Sequence, residues 1–328
     1  MSTDSMQPET IFLIGAGFTK AAFPRAPLNG QLLKELIESG ADTVAKIASQ
    51  NGSITEIEKL LTLHDLNLQG VRDGDFAVER RKIQHEIAEY FRQFRFEPVK
   101  LGPGKWIHQF AKVVLSNRDL IITLNYDCFL DGALDYFDVW RPRDGYCRIL
   151  HPLFGIEDSS PKGIKIAKIH GSEHFGESYI HGDQGHTSLG FEVNDSIFPR
   201  SGKNRQYERG GRMRAAEYVI APSFVKSPHI EIVYMMLDAL EAVVTATRLI
   251  IIGTSLRPED SYLWLLLTRF LTSRYACKKL IILDPYPGAI LDRFDEFGFP
   301  RERAWYKIVT IEGGIETKIP ELISELGR

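Results

Sequence analysis

Cysteine is scarce in this chain of 328 residues, which contains only Cys128, Cys147 and Cys277. Three cysteines so far apart cannot build a disulfide framework or a four-cysteine zinc site, so the sequence favours a reducing compartment. The chain also lacks a strong charge of one sign, because 40 basic residues nearly balance 43 acidic ones. Overall charge therefore gives no reason for binding nucleic acid or an anionic membrane surface.

Long apolar runs are missing as well. No stretch approaches the roughly 18 apolar residues of a membrane-spanning helix, and residues 1–9 lack the cationic and apolar regions of a secretory signal. We therefore expect a cytoplasmic protein. The hydrophobic content of 44% is enough for a sizeable core in one large domain or two smaller ones.

Short runs of Ile, Leu and Val alternate with helical patterns along the chain. Continuous apolar runs are typical of strands buried on both faces, so the pattern predicts an α/β fold with a Rossmann-like, doubly wound and mostly parallel sheet. The predicted strands are 11–14, 120–124, 164–169, 218–221, 249–252, 280–283 and 308–311.

Two stretches depart from this alternation. Residues 28–100 have helical periodicity, with a capping-box pattern from Ser53 to Glu56, and are expected to form a helical insertion. Residues 173–215 are rich in Gly, His and Arg and have few apolar positions, which predicts a loop or small subdomain between strands.

Four short polar or glycine-rich sequences stand where predicted strands end. In open α/β sheets, ligands bind beyond the carboxyl ends of the strands, so sequences scattered along the chain can meet at one ligand. Their chemistry predicts a single site for a dinucleotide. The four sequences are Gly15-Ala16-Gly17-Phe18-Thr19, Thr123-Leu124-Asn125-Tyr126-Asp127, His170-Gly171 and Gly253-Thr254-Ser255.

The glycine sequence after the first strand permits a tight turn in which the backbone approaches a pyrophosphate and presents amide groups at the start of a helix. It departs from the dehydrogenase pattern, because Lys20 stands where Gly or Ala is expected and Glu35 lies in a helical pattern instead of ending a second strand. Hydride transfer is therefore disfavoured. A tight structural turn without a ligand is the alternative.

Three polar side chains at the end of the second strand, Thr123, Asn125 and Asp127, alternate to one side of an extended segment. His170 follows the third strand, and the ordinary imidazole pKa of about 6.5 suits a general base. The alternatives are a turn with side-chain to backbone hydrogen bonds and a structural histidine.

Gly253-Thr254-Ser255 carries small hydroxyl groups that are suited to hydrogen-bond ribose or phosphate. In chain order, the four sequences resemble the sirtuin superfamily, whose nucleotide site uses Gly-Ala-Gly, Thr-x-Asn-x-Asp, His-Gly and Gly-Thr-Ser-Leu. The resemblance spans residues 11–285. It implies that Asp284, after the strand 280–283, reaches the adenosine half of NAD.

The zinc module of the protein-deacylating sirtuins is missing from the sequence. That module needs two Cys-x-x-Cys pairs after His-Gly, and no cysteine lies between His-Gly and Gly-Thr-Ser here. The spacing of His174, His181 and His186 matches no familiar metal template, so we expect no metal. Asn-Tyr-Asp and the helical segment 54–61 instead resemble the bacterial sirtuin-like NAD hydrolases that deplete NAD during phage infection.

This resemblance implies one sirtuin-like catalytic domain over residues 1–328 that uses NAD as substrate. Nicotinamide leaves NAD as a neutral molecule, so cleavage needs no general acid and charge develops on the ribose. Asn125 would orient a water or ribose hydroxyl and His170 would accept its proton, giving nicotinamide and linear or cyclic ADP-ribose. The implied NAD contacts are Gly15, Ala16, Gly17, Phe18 and Thr19 to the pyrophosphate, Asp127 to the nicotinamide amide, Thr254 and Ser255 to ribose, and Asp284 to the adenosine, with Thr123 and Gly253 also at the nucleotide.

The resemblance further implies a role in antiphage defence by abortive infection. It implies a homo-oligomer, or control by a second protein such as an ATP-driven DNA translocase or an Argonaute. The alternative functions are an NAD-dependent protein deacylase, an ADP-ribosyltransferase and an NAD-sensing binding module.

A basic segment raises the alternative of nucleic-acid binding. It has no aromatic stacking pattern and no known nucleic-acid motif, so a solvated loop or an oligomer contact is favoured. Its residues are Arg200, Lys203, Arg205, Arg209, Arg212 and Arg214.

Overall fold

A computed structural model describes residues 8–68, 74–99, 105–147, 163–181, 187–194, 197–200, 214–220, 222–223, 230–274 and 276–328. The strands are β1 (Thr10–Ile14), β2 (Leu120–Thr123), β3 (Lys165–Lys168), β4 (Gly171–His181), β5 (Thr187–Val193), β6 (Arg214–Val219), β7 (Arg248–Ile252), β8 (Lys278–Asp284), β9 (Glu302–Arg303) and β10 (Tyr306–Glu312). The α-helices are α1 (Ala16–Ala22), α2 (Asn29–Glu38), α3 (Asp42–Gln50), α4 (Ile57–Leu68), α5 (Gly74–Phe91), α6 (Trp106–Gln109), α7 (Phe129–Tyr136), α8 (Pro142–Gly145), α9 (Ile230–Thr245), α10 (Ser261–Thr272), α11 (Pro287–Glu296) and α12 (Ile315–Leu326).

The main sheet confirms the predicted Rossmann-like α/β fold. Its seven strands lie in the order β3-β2-β1-β7-β8-β10-β9, and only the short edge pair β9 and β10 is antiparallel. When the six parallel strands are numbered along the chain, this order becomes 3-2-1-4-5-6, which is the order of Rossmann folds. Chain connections run outward from β1 on one side and from β7 on the other. Because such crossovers are right-handed, their helices cover opposite faces of the sheet.

The central strands form because their residues suit burial on both faces. β1 reads TIFLI and β7 reads RLIII, and every β1 residue is buried. Such β-branched and aromatic side chains pack well on a pleated surface. No helix among the described residues is long and apolar enough to cross a membrane.

The helical insertion contains α2, α3, α4 and α5, which share a hydrophobic cluster of their own. This cluster includes Leu36 and Leu60 and reaches the rest of the fold through Tyr126 and Val219. The predicted capping box at Ser53 is wrong. α4 begins at Ile57, and the carbonyl of Glu56 accepts the first helical hydrogen bond, from the Leu60 amide at 3.1 Å.

A second, antiparallel sheet in the order β5-β4-β6 occupies the described parts of the stretch 173–215. The strand predicted at 218–221 is therefore misplaced, since β6 pairs with β4 and not with the main sheet. Gly171 explains the departure. Its φ of +75° is left-handed, and a Cβ there would lie 2.5 Å from the Tyr218 carbonyl oxygen, so only glycine lets the chain leave β3 and turn into β4.

The basic segment falls mostly outside the described residues. Lys203, Arg205, Arg209 and Arg212 are not described, and neither is His186. Arg200 lies before them, where its guanidinium forms an ion pair with Asp138 at 2.6 Å. The nucleic-acid alternative for this segment therefore stays a prediction.

Candidate active site

Five parallel strands of the main sheet end in one row. Ile14 of β1 pairs with Thr123 on one side and Ile252 on the other, and the row continues to Lys168 and Leu283. Each predicted motif follows this row within two residues, so the register itself gathers them at one edge. β1 and β7 lie where the connections diverge, which is the switch point where ligands bind in this fold class.

A cavity of about 640 Å³ opens at this edge. Its volume falls within the roughly 300–1,000 Å³ that small-molecule sites occupy. All four motifs and the end of β8 contribute to its wall. The predicted site residues that line it are Gly15, Ala16, Gly17, Thr19, Asn125, Asp127, His170, Gly253, Thr254, Ser255 and Asp284.

Phe18 and Thr123 are the predicted site residues that the structure does not bring to the cavity. The Phe18 ring is fully buried and packs edge-on against Trp106 and Phe110, with centroids 5.1 and 5.0 Å away. Neighbouring positions on a helix face different directions, so Thr19 reaches the cavity while Phe18 fills the core. Thr123 is buried too, and its hydroxyl accepts the Asn125 amide at 3.1 Å. Both side chains support the site from behind.

The glycine turns after β1 and β7 pack directly against each other. The Gly15 amide donates to the Ile252 carbonyl at 3.0 Å, and the Gly17 amide donates to the Gly253 carbonyl at 2.8 Å. A Cβ on Gly17 would lie 2.7 Å from the Gly253 Cα, which leaves no room for a side chain. The absence of a side chain at these glycines therefore allows the two turns to pack against each other.

The expected cradle of amide groups for a pyrophosphate is correspondingly smaller. The amides of Gly15 and Gly17 are already donated to β7, and the Phe18 amide donates to the Gly15 carbonyl at 3.0 Å. Within the described part of the chain, the Ala16 amide has no backbone acceptor. Because it opens α1, it lies at the positive end of the helix dipole.

Asn125 is held in a fixed orientation at the cavity wall. Its Nδ2 donates to the Gly15 carbonyl at 3.1 Å and to the Thr19 hydroxyl at 3.0 Å. Both amide protons are thereby used, and Oδ1 is the atom that can accept a hydrogen bond from a ligand or water. The link to Gly15 ties the end of β2 to the turn after β1.

Asp127 continues the same chain of hydrogen bonds. The Thr19 hydroxyl donates to its Oδ2 at 2.9 Å, and the Phe129 amide donates to its Oδ1 at 3.1 Å at the start of α7. Burial raises the pKa of Asp127 to about 6, against the lowering effect of the buried Lys168 ammonium. Lys168 supports the segment from below, since its Nζ donates to the Asp127 carbonyl at 2.6 Å.

His170 stands two residues beyond the end of β3, with its side chain partly exposed to the cavity. Its ring stacks on Tyr126, with a centroid distance of 6.2 Å and an interplanar angle of 28°. The Tyr126 hydroxyl is itself fixed by donation to the Ile220 carbonyl at 2.7 Å. On the open side, His170 Nε2 lies 3.8 Å from Oδ1 of Asp260.

Three cavity residues, Glu58, Arg257 and Asp260, were not singled out by sequence reasoning. Arg257 and Glu58 form an ion pair with a 3.0 Å contact between NH1 and Oε1, and burial raises the pKa of Glu58. The sequence does contain one signal: Asp260 directly precedes the apolar run of α10, as an N-cap residue does. This signal predicts the start of a helix, but it does not predict that Asp260 lies near His170.

The end of β8 lines the far part of the cavity. Asp284 Oδ1 accepts the Tyr286 amide at 2.8 Å, and burial raises the pKa of Asp284. Arg293 of α11 donates to the Ser255 carbonyl, which ties this end to the turn after β7. Ser255 is exposed and Thr254 nearly buried.

His174 of β4 takes part in buried hydrogen bonds. His174 is buried, and its Nδ1 lies 2.8 Å from Cys128 Sγ and 2.9 Å from Ser172 Oγ. Its Nε2 lies 2.8 Å from the Tyr146 hydroxyl. Among the residues that the structure describes, no group of three or more His, Cys, Asp or Glu side chains is placed to hold a metal ion.

Comparisons with known proteins found similarity to solved structures of Sir2 proteins. No family model matches the chain, and no curated protein matches it. Similar solved structures include Sir2Tm bound to a propionylated peptide, at 13% identity and a TM-score of 0.41 over 98% of this chain and 94% of that chain. A Sir2 homologue mutant in complex with ADP-ribose is 14% identical, with a TM-score of 0.43 over 100% and 97%. A Sir2 complex with a p53 peptide and NAD+ is 11% identical, with a TM-score of 0.41 over 100% and 99%.

Proposed function

We propose that the chain is an NAD+ hydrolase that cleaves the bond between nicotinamide and ribose. The observation that carries the proposal is that Asn125 and His170, from two different strand ends, line one cavity with the glycine turns after β1 and β7. A dinucleotide suits a cavity of this volume at the switch point of a doubly wound sheet. The ordered sequence motifs, which resemble those of sirtuin-like NAD hydrolases, support the same substrate.

The proposed reaction needs one oriented water and one base. The glycosidic C–N bond breaks with its electron pair moving to nicotinamide, which leaves neutral, and the ribose carbon takes the oxygen of water. In this scheme Asn125 Oδ1 orients the water, since its Nδ2 is committed to Gly15 and Thr19. His170 accepts the water proton as general base. The products are nicotinamide and ADP-ribose.

The remaining cavity residues receive binding roles in this proposal. The turn at the start of α1 is assigned to the pyrophosphate through the Ala16 amide, and Thr254 and Ser255 are assigned to ribose. Asp127 is assigned to the nicotinamide amide and Asp284 to the adenosine. All of them line the cavity with Asn125 and His170.

The direct test is to incubate the purified protein with NAD and to follow nicotinamide and ADP-ribose by chromatography. We expect both products in equal amounts without any acyl or protein acceptor. Products that appear only with an acylated peptide would identify a deacylase, and ADP-ribose found on a macromolecule would identify a transferase. Intact NAD that stays bound to the protein in every condition would identify a binding module.

Replacement of either proposed catalytic side chain tests the assignment. In His170→Ala and Asn125→Ala, we expect NAD cleavage to fall by about 100-fold or more, because a positioned general base contributes about 100- to 10,000-fold. The matched control is His85→Ala, which removes an exposed imidazole from α5 outside the cavity and is expected to keep full activity. Circular dichroism verifies that each variant is folded. Full turnover in a folded His170→Ala or Asn125→Ala variant removes that residue from the mechanism.

We further propose that NAD cleavage serves antiphage defence in a bacterial cytoplasm, under the control of self-association or of a second protein such as a DNA translocase or an Argonaute. This role is supported by the motif resemblance. Its test is the NAD content of cells that express the wild-type or the His170→Ala protein, measured before and after phage infection. Loss of NAD only in infected wild-type cells is expected. Equal NAD content in all four cultures contradicts the role.

A further inference from the structure

We propose that Asp260 is a positioning residue for His170, which orients the imidazole and stabilises its protonated form. This inference rests on the proposed role of His170 as general base and adds a carboxylate to it. General bases in enzymes are commonly oriented by a third group in this way. Nothing in the motif set pointed to Asp260, because it comes from the loop between β7 and α10.

The first support is the geometry of the pair. His170 Nε2 and Asp260 Oδ1 are 3.8 Å apart, and both side chains are largely but not completely buried at the cavity wall. This distance is longer than a direct hydrogen bond, and one bridging water or a small movement on substrate binding would connect the two groups. At 3.8 Å the carboxylate already favours the charged form of the imidazole.

The second support is what the Asp260 carboxylate does not do. An aspartate at the N-cap position normally accepts a hydrogen bond from an amide in the first turn of its helix. Asp260 is the N-cap residue of α10, yet its side chain makes no capping hydrogen bond. Only its backbone carbonyl serves the helix, accepting the Leu263 amide at 2.9 Å and the Trp264 amide at 3.3 Å. The carboxylate is directed elsewhere.

The third support is the way the loop is held. Leu256 is buried with a left-handed φ of +45°, a conformation that costs a branched residue free energy and persists only where the surroundings enforce it. Trp264 Nε1 donates to the Arg257 carbonyl at 3.0 Å, and Arg257 is paired with Glu58 of α4. The loop that carries Asp260 is thus fastened from both sides.

The other titratable groups around His170 do not supply this negative charge. Tyr126 stacks on the ring, but burial raises the pKa of its phenol and keeps it neutral. Burial also raises the pKa of Glu58, whose carboxylate is paired with Arg257. Asp127 hydrogen-bonds to Thr19 and Phe129. Among the residues that the structure describes, Asp260 has a carboxylate oxygen 3.8 Å from the His170 imidazole.

The decisive variant is Asp260→Asn, because Asn has nearly the same size and shape as Asp and removes the charge. We expect the pKa of His170, measured by NMR titration without NAD, to fall by about one unit, since an opposite charge within about 4–6 Å shifts a pKa by about 1–3 units. The chain has nine histidines, so the His170 signal is identified by its loss in His170→Gln. The matched control is Asp42→Asn, which removes an exposed carboxylate from the first turn of α3 and leaves the His170 pKa unchanged.

Kinetics then separate a positioning role from a structural one. In Asp260→Asn we expect the acidic limb of the kcat/KM profile to move to lower pH by the shift seen in NMR, and kcat to fall by about tenfold, a part of the contribution of a general base. KM for NAD should change much less. An unchanged His170 pKa, or a changed pKa with an unmoved pH profile, overturns the proposal.

The NMR measurement also keeps this proposal distinct from the hydrolase proposal. If no condition yields nicotinamide, the hydrolase fails, while a lowered His170 pKa in Asp260→Asn still supports the pairing. If NAD is hydrolysed and the His170 pKa does not move, the pairing fails and the hydrolase stands.

Discussion

The glycines in the turns after β1 and β7 contribute to stability because they allow the two backbones to lie in contact. Gly253 combines a left-handed φ of +60° with a site where a Cβ would lie 2.7 Å from the Gly17 backbone. We expect Gly253→Ala to lower the free energy of unfolding by about 2–5 kcal/mol, the sum of backbone strain and overpacking. Urea denaturation followed by circular dichroism measures it.

Gly40 provides the matched control, because its φ of +90° is also left-handed but nothing lies within 4 Å of the position that a Cβ would take there. Gly40→Ala carries the conformational cost alone, which is about 1–2 kcal/mol. Equal losses in the two variants would show that the contact between the turns contributes nothing to stability.

Asp127 gives the site a pH dependence with a definite sign. Burial raises its folded pKa to about 6, above the ordinary value of 3.8, so the folded protein holds this proton more tightly than the unfolded chain. The contribution of Asp127 to stability therefore falls as the pH rises from about 4 to about 6 and is then constant. We expect wild type to lose about 2–3 kcal/mol relative to Asp127→Asn across this range.

The measurement for Asp127 is urea denaturation of both proteins at several pH values. Asp284→Asn controls for a general loss of negative charge at the same edge, and its own slope is subtracted, since burial raises the pKa of Asp284 also. A stability difference between wild type and Asp127→Asn that does not vary with pH would contradict the raised pKa.

The sequence predicts the positions of Asn125 and His170 at the cavity because strand ends and polar residues are both local signals. It does not predict that Phe18 faces the core, since the facing of α1 depends on Trp106 and Phe110. Nor does it predict that the Gly15 amide is consumed by Ile252. Both contacts depend on which distant segments become neighbours in the fold, and a single sequence does not show which segments pair.

The end of α9 depends on one buried lysine from another element. Lys278 of β8 donates from Nζ to the carbonyls of Val243, Val244 and Ala246 at 3.3, 2.8 and 2.7 Å. Val243 and Val244 belong to the last turn of α9, whose carbonyls have no partners within the helix, and Ala246 directly follows it. We expect Lys278→Met to lower the free energy of unfolding by about 2–4 kcal/mol, because buried acceptors would lose their donor.

Thermal unfolding and urea denaturation both report this loss. The neighbouring Lys279→Met is the control, since its Nζ is partly exposed and reaches Glu325 through the carboxylate at 2.6 Å and through the backbone carbonyl at 2.7 Å. Such a pair contributes less than about 1 kcal/mol. If Lys279→Met is as damaging as Lys278→Met, the cap on α9 is not what Lys278 provides.

The elements of the main sheet follow from the sequence with small shifts at their ends, because continuous apolar runs exist only where both faces are buried. The strands of the second sheet do not follow from the sequence in this way. β4 reads GSEHFGESYIH, without an apolar run or a regular alternation, and β5 has only the short alternation of Leu189, Phe191 and Val193. These strands form by pairing with one another and with β6, and Gly171 supplies the turn that begins them.

At the scale of the whole molecule, the sequence predicts the fold class but not the order of the strands in the sheet. Alternating strands and helices predict a doubly wound parallel sheet, whatever the order of its strands. The order β3-β2-β1-β7-β8-β10 depends on which strands meet across long loops, including one that passes through the entire helical insertion. The site lies between β1 and β7, where the chain connections change direction. Its location therefore follows from the strand order, and its residues are those that the local motifs supply.

The pairing of β1 with β7 has a consequence for how the protein folds during its synthesis. Synthesis makes Gly15 early, but the carbonyls of Ile252 and Gly253 that receive the Gly15 and Gly17 amides are made much later. A chain still on the ribosome without β7 has no wall on one side of the cavity, although its N-terminal helices can already fold. The cavity is complete only after the chain beyond β7 has also been made, because Asp284 and Gly314 line it too.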